Sequence, residues 1–264
     1  MYILAIETTG AFASVALAKA SDLNGAGDFE ILAHVEGNDR YSHLQNLTPQ
    51  IEEVIRMAGE SKSASETENN ILSIGDMSAI AVSNGPGSFT GIRIGVSTGR
   101  ALSQVKGIPC VAVPSLEALA MRADKTKTLI CSILDARRSQ VYGGGYILNE
   151  DGFPEEIIKA GPYTVDEFIQ KLDNVETDSG KFSKILFTGD GVDKYGDVIK
   201  EHYSELFAAG IIRFAEEEVR YQDAQTVARL GWKLLQEGKG CAYEQLKPEY
   251  MRMAEAERKL KEKK

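Results

Sequence analysis

The stretch from Ala81 to Ala101 limits the fold more than any other part of this chain. It reads as a buried strand over 78–83, a turn Asn84-Gly85-Pro86-Gly87, and a helix. In the turn, Gly85 and Gly87 permit backbone angles or close approaches that a side chain forbids, and Pro86 fixes φ between them. Ser88 or Thr90 can cap the helix that follows. Within that helix Gly91, Gly95 and Gly99 recur every four residues and share one face. A glycine in a helix interior costs about 1 kcal/mol relative to alanine, so three in line imply that another backbone comes close. That backbone is either this protein's own sheet or helix, or a second chain.

The rest of the pattern is α/β and occurs twice. Residues 2–7 form an apolar run ending in an acid, Glu7; the polar turn Thr8-Thr9-Gly10 follows, then strands over 12–17 and 29–35. A helix spans 42–58, with Ser42 as cap and Leu44, Leu47, Ile51, Val54, Ile55 and Ala58 on one side. Pro49 implies a kink there, or a restart capped by Thr48. Residues 59–70 are polar without apolar period and read as a surface loop. After the glycine-faced helix come a strand over 110–113 and a helix opened by Pro114 and Ser115.

The order then restarts. A strand over 128–135 ends in Asp135, the turn Ala136-Arg137-Arg138-Ser139 follows, and the chain returns over 140–148. A strand near 155–160, a helix over 165–172 and a strand over 184–187 lead to Thr188-Gly189-Asp190-Gly191 and another helix. This doubled β-β-β-α-β-α order, with a period of about 125 residues, predicts two similar lobes, each a mixed sheet flanked by helices. The lobes are expected at 1–106 and 107–264. An amphipathic helix over 223–236, stopped by Gly238 and Gly240, belongs either to the second lobe or packs back on the first. Gln245 to Tyr250 reads as an extended segment pinned to the surface.

Composition narrows the function. A formal charge of −9 over 264 residues disfavours this chain as a main nucleic-acid surface, because like charges repel phosphate backbones. The basic tail from Arg252 reads as a solvated, frayed end. Cys110, Cys131 and Cys241 are far apart without paired spacing, so neither a zinc site nor a redox pair is expected, and a reducing cytoplasm fits. No basic leader or long apolar run marks the N-terminus, which argues against a signal peptide or a membrane span.

Gly85-Pro-Gly-Ser-Phe-Thr-Gly91, Val113-Pro-Ser-Leu-Glu-Ala-Leu119, Tyr2-Ile-Leu-Ala-Ile-Glu-Thr-Thr9 and Pro248-Glu-Tyr-Met-Arg252 closely resemble the TsaB (YeaZ) family. The resemblance covers most of the chain and implies an actin-like, sugar-kinase-like pair of lobes. It also implies a role beside TsaD, the catalytic subunit that makes threonylcarbamoyladenosine next to the tRNA anticodon, with TsaE as an ATPase of the same system. This chain would then be a non-catalytic partner of TsaD, a homodimer in isolation, and in contact with tRNA only indirectly. On that reading the helices at 42–58 and 90–106 pack against TsaD through His43, Leu44, Leu47, Ile51, Gly91, Arg93, Gly95 and Gly99. TsaD carries two metal-binding histidines; matching Pro109 and Glu117 puts Ser115 and Leu119 at those positions here, neither of which replaces an imidazole.

An actin-like ATPase needs two strand-turn-strand loops for phosphates and an acid to hold magnesium. The first loop offers Glu7, Thr8, Thr9 and Gly10; the second offers Asp135 and Arg137 but no glycine. Gly189 and Gly191 stand where this superfamily holds adenosine. ATP or ADP with magnesium is therefore expected, if anywhere, at the joint with TsaD. His34, His43 and His202 show no ligand spacing, and Ser88 lies outside a hydrolase elbow, so no metal ligand and no catalytic residue is assigned. A free-standing phosphotransferase acting through Glu7 and Asp135 is the alternative; a metalloprotease lacks the histidine pair.

Overall fold

The computed structural model describes residues 1–21, 28–37, 43–63, 72–123, 127–175 and 182–252, without the side chains of 43–46 and 61–63. Strands β1 (Tyr2–Glu7), β2 (Ser14–Ala20) and β3 (Phe29–Glu36) come first, followed by helix α1 (His43–Ser63). Next are β4 (Ala79–Gly85), α2 (Phe89–Lys106), β5 (Cys110–Pro114) and α3 (Ser115–Ala120). The second series runs β6 (Thr128–Asp135), β7 (Gln140–Leu148), β8 (Pro154–Thr164), α4 (Val165–Asp173), β9 (Lys184–Thr188) and α5 (Gly191–His202). It ends with α6 (Ser204–Ala208), β10 (Ile212–Phe214), α7 (Glu217–Arg220) and α8 (Ala224–Gln236).

The two sheets have one topology. Their orders are β3-β2-β1-β4-β5 and, read in the same sense, β8-β7-β6-β9-β10. In each, the first three strands are antiparallel, and the last two run parallel to the first. The strand over 110–114, beyond the boundary expected at 106, is hydrogen-bonded to β4 in the first sheet. The side-chain period of two puts Leu4 and Ile6 on one face, under α1 and α2 with Leu47, Ile51, Val54, Ile92 and Val96. Ile3 and Ala5 lie on the other face with Ala81, Val111, Val227 and Leu230. That second face is covered by α8, so the last helix crosses back onto the first sheet.

The helix after β5 does the converse. Helix α3 joins Leu116, Leu119 and Ala120 to Ile130, Leu134 and Tyr146 of the second sheet, whose other face is filled by α4 and α5. Each lobe thus lends a helix to the other. An ion pair joins the two lent helices: Arg122, just past α3, reaches Asp223, the N-cap of α8, at 2.9 Å, and both side chains are largely buried.

Several expectations change. Helix α1 runs through Pro49 as one helix, not a restart, and extends to Ser63, so the loop expected from 59 begins later. The cap expected at Ser42 and the basic tail beyond Arg252 lie outside the described residues. The segment 245–250 is pinned to the surface as expected: Leu246 is its one buried anchor, its neighbours are mostly exposed, and the Glu249 N–H donates to Asn84 O at 2.8 Å.

The largest correction concerns the glycine face of α2, which is turned inward. A Cβ on Gly91 would stand 1.8 Å from Thr8 O, one on Gly95 2.3 Å from Thr8 Oγ1, and one on Gly99 2.4 Å from Val82 Cγ2. These glycines serve the protein's own sheet, and the face expected to receive a second chain is closed. Gly95→Leu is therefore expected to destabilise the isolated chain by about 3 kcal/mol or more. Urea denaturation checks this; a variant as stable as the parent would reopen the face.

Candidate functional site

The first acid does not stand at an open cleft. Glu7 ends β1 with no exposed surface, and its Oε1 accepts from both the N–H and the hydroxyl of Thr9, the latter at 2.7 Å. Thr9 Oγ1 lies 3.0 Å from Ser115 Oγ, and the Ser83 and Ser115 hydroxyls are 2.9 Å apart. The C-terminal parts of β1 and β4, the loop after β1 and the start of α3 thus meet in one buried polar knot. Burial pushes the Glu7 carboxyl above its ordinary range, against the lowering effect of the neighbouring Ser83, Thr9 and Gly10. Its Oε2 has no hydrogen-bond partner. Thr8 turns the other way, its hydroxyl donating to Gly91 O at 2.8 Å.

Between the lobes lies a cavity of about 340 Å³. The first lobe supplies Thr9, Gly10 and the Gly87-Ser88-Phe89 start of α2; the second supplies Asp135, Ala136, Arg137, Tyr142 and Asp190; Gln222, just before α8, closes one side. Of the sequence-predicted loop residues, the cavity collects Thr9, Gly10, Asp135 and Arg137, and leaves out Glu7, Thr8, Gly189 and Gly191. A Cβ on Gly189 would meet Ile133 O at 2.1 Å, and one on Gly191 would meet the same oxygen at 2.8 Å. Both glycines therefore fit the turn against β6.

Asp135 is held firmly. Its Oδ1 accepts from the Arg137 N–H at 2.8 Å and from the Tyr195 hydroxyl at 2.9 Å, and its own N–H donates to Asp190 Oδ1 at 2.9 Å. Arg137, Arg138 and Ser139 all take the left-handed backbone, with φ of 66°, 57° and 57°, which is uncommon for three side-chain-bearing residues in succession. The Arg137 guanidinium, mostly exposed, lies 3.5 Å from Asp135. Asp190 is pushed up to about 6 by burial, with the Asp135 and Asp193 charges adding to the rise.

Sequence reasoning missed Asp190, Gln222, Phe89 and Tyr142. Asp190 carried a signal, an acid between Gly189 and Gly191 at a strand end, as Glu7 and Asp135 are acids at strand ends. Gln222 carried none. Its side chain is 2% exposed and its Oε1 lacks a partner.

The residues present do not fit a magnesium nucleotide held in the manner of a phosphotransferase. The first acid is enclosed, the second loop has no glycine, and the expected adenosine glycines pack on β6. Ser115 and Leu119 are likewise enclosed, the first in the polar knot and the second, with no exposed surface, against the second sheet. Among the described residues no cluster of His, Cys, Asp or Glu is arranged to hold a metal ion, and no helix is long and apolar enough to cross a membrane.

The interface residues also sort themselves. Leu47 and Ile51 are buried in the first lobe's own core with Ile92 and Val96, and Gly91, Gly95 and Gly99 are buried in α2, so these five have little surface left for the expected contact with a second chain. The side chains of His43 and Leu44 lie outside the described residues. Of the described interface residues, Arg93 alone is exposed; it stacks 3.9 Å over the Phe89 ring and donates to the Tyr250 hydroxyl at 2.9 Å. It begins an exposed row along α2, Arg93, Ser97, Ala101 and Val105, at four-residue steps.

Two mixed sheets of one topology that exchange helices across a cleft define a two-lobed α/β protein. Comparison with known proteins narrows this. A family model described as TsaD: tRNA N6-adenosine threonylcarbamoyltransferase matches residues 30–260. The tRNA threonylcarbamoyladenosine biosynthesis protein TsaB of Escherichia coli K12 is 29% identical over 267 residues, 98% of either chain. TsaB of Bacillus subtilis 168 is 34% identical over 184 residues, 70% of this chain and 73% of its own. The structure of YeaZ from Pseudomonas aeruginosa shares the fold, with a TM-score of 0.68 at 22% identity over 94% of this chain and 99% of that one. The chain belongs to the TsaB family.

Asp190 yields a pH test. Its folded pKa of about 6 stands above the ordinary 3.8, so the stability that its protonation confers is complete below about pH 4 and is lost as pH rises through about 6. Asp190→Asn keeps an acceptor for the Asp135 N–H without acquiring charge. Relative to the parent it should gain about 1–3 kcal/mol between pH 4 and pH 7, read from urea denaturation at intervals across that range. An unchanged pH slope would count against burial of this carboxyl.

Proposed function

We propose that this chain acts in the biosynthesis of threonylcarbamoyladenosine on tRNA as the non-catalytic partner of TsaD. The observation that carries the reading is kinship with TsaB relatives along nearly the whole chain. The enclosed Glu7 supports it, since an acid with no exposed surface is unsuited to steering a metal-bound phosphate. The chain stabilises and positions TsaD, forms a homodimer when TsaD is absent, joins TsaE in a ternary complex, and meets tRNA only through its partners. Its work is in the cytoplasm.

With the glycine face committed to the sheet, the partner surface moves to the outer side of the same helix pair. On α2 this is the row Arg93, Ser97, Ala101 and Val105, of which Val105 is 80% exposed. On α1, which lies beside α2, Thr48, Glu52 and Arg56 are exposed. Small residues at 97 and 101 permit close helix approach, and the exposed valine offers apolar area at a helix end.

The test is sedimentation of this chain alone and mixed with its cognate TsaD, with ATP turnover followed in the same samples. A heterodimer forming at the expense of homodimer, without turnover by this chain alone, is expected. Ala101→Arg should weaken that heterodimer at least tenfold while unfolding at the parent's temperature. Vigorous turnover by the isolated chain without association would favour the phosphotransferase alternative.

A further inference from the structure

The chain has three cysteines, and the fold sets two of them face to face. Cys110 opens β5 at the edge of the first sheet, and Cys241 follows α8. They form an isolated antiparallel bridge in which each N–H donates to the other's carbonyl oxygen at 2.8 Å. In such a pair the Cα atoms are about 5.5 Å apart and both side chains leave on the same face. Disulfides span Cα separations of roughly 4.4–6.8 Å. Both cysteines pack in the same apolar cluster beneath α2, and the Cys110 thiol reaches toward Gly99 O at 3.8 Å. Spacing in the sequence, which argued against a redox pair, gave no sign of this pairing. Cys131 lies apart, buried in the second sheet.

We propose that Cys110 and Cys241 are the site of a reversible intramolecular disulfide that fastens the C-terminal segment to the edge of the first sheet. Cys241 reacts first. It is half-buried and lines an open groove of about 670 Å³ with Pro109, Leu235 and Tyr243, whereas Cys110 has no exposed surface. The co-reactant is a low-molecular-weight disulfide. Cys241 loses its proton to solvent, and its thiolate attacks one sulfur of that disulfide and expels the other as a thiolate. Cys110, deprotonated in turn, attacks the Cys241 sulfur of the mixed disulfide and expels the second small thiolate. Two protein thiols are oxidised to one disulfide, and one small disulfide is reduced to two thiols.

The link has a structural consequence because of where the segment goes next. Beyond Cys241 it buries Leu246, hydrogen-bonds to Asn84 through Lys247 and Glu249, and lays Tyr250 against Phe89 at the cavity rim. It then reaches the second lobe, where Arg252 donates to Ala136 O at 2.9 Å. Oxidation therefore locks the root of a strap that crosses from one lobe to the other. Burial holds both thiols above the ordinary cysteine range, so the reaction is slow at neutral pH and quickens about tenfold per pH unit as thiolate accumulates.

The experiment incubates the reduced full chain with excess oxidised glutathione at alkaline pH and follows intact mass and peptide masses. The expected product has lost two hydrogens, yields a peptide linking Cys110 to Cys241, and keeps Cys131 free. Its unfolding midpoint rises by ~5 °C or more, and dithiothreitol reverses the change. Cys110→Ser should stop at a glutathione adduct on Cys241, and Cys241→Ser should leave Cys110 reduced. The proposal fails if a lasting adduct forms on Cys241 in the unsubstituted chain, or if a link involves Cys131. It also fails if all three thiols stay free under conditions that oxidise the unfolded chain.

Discussion

Everything near the cleft depends on how closely α2 approaches the loop after β1. A Cβ at Gly91 would lie 1.8 Å from Thr8 O, so only a bare backbone fits, and the Thr8 hydroxyl returns a hydrogen bond to Gly91 O. That contact turns Thr8 outward from the cleft and Thr9 inward to bind Glu7. The same approach seats Gly87 over Thr9, where a Cβ would meet Thr9 O at 2.4 Å, while the Ser88 N–H donates to that oxygen at 2.8 Å. The polar knot and the first-lobe wall of the cavity are consequences of one helix lying abnormally close to one loop.

Much of the fold was legible in the sequence because strand and helix periods differ and because the pattern occurred twice. The runs 2–7, 128–135 and 140–148 match β1, β6 and β7, and the repeated order foretells two sheets of identical topology. Strand β10 was missed, since three residues are too few to show alternation, and so was the extension of α1 from 58 to Ser63, whose residues carry no apolar period. The destination of α8 was left open for a physical reason. An amphipathic helix announces that one side is buried, and its sequence does not name the sheet that buries it.

The same limit governs the site. Three aligned glycines announce a close approach without saying whether the neighbour is the protein itself, and here it is. Conversely, Arg93 is exposed on the opposite side of that helix, where polarity alone could not distinguish a contact residue from a solvated one. Asp190 and Gln222 join the cavity from positions 32 residues apart, a proximity that only the tertiary fold creates.

The exchanged helices carry an implication for synthesis on the ribosome. The first lobe's sheet is fully translated by Pro114, yet the face formed by Ile3, Ala5, Ala81 and Val111 waits for Val227, Leu230 and Trp232. Until more than a hundred further residues have emerged, that apolar surface lacks the helix that covers it, with Ala118 and Met121 nearby from the earlier chain. The first lobe's core is therefore completed only when the last helix arrives, and the nascent first half presents the apolar surface that a chaperone would be called upon to shield.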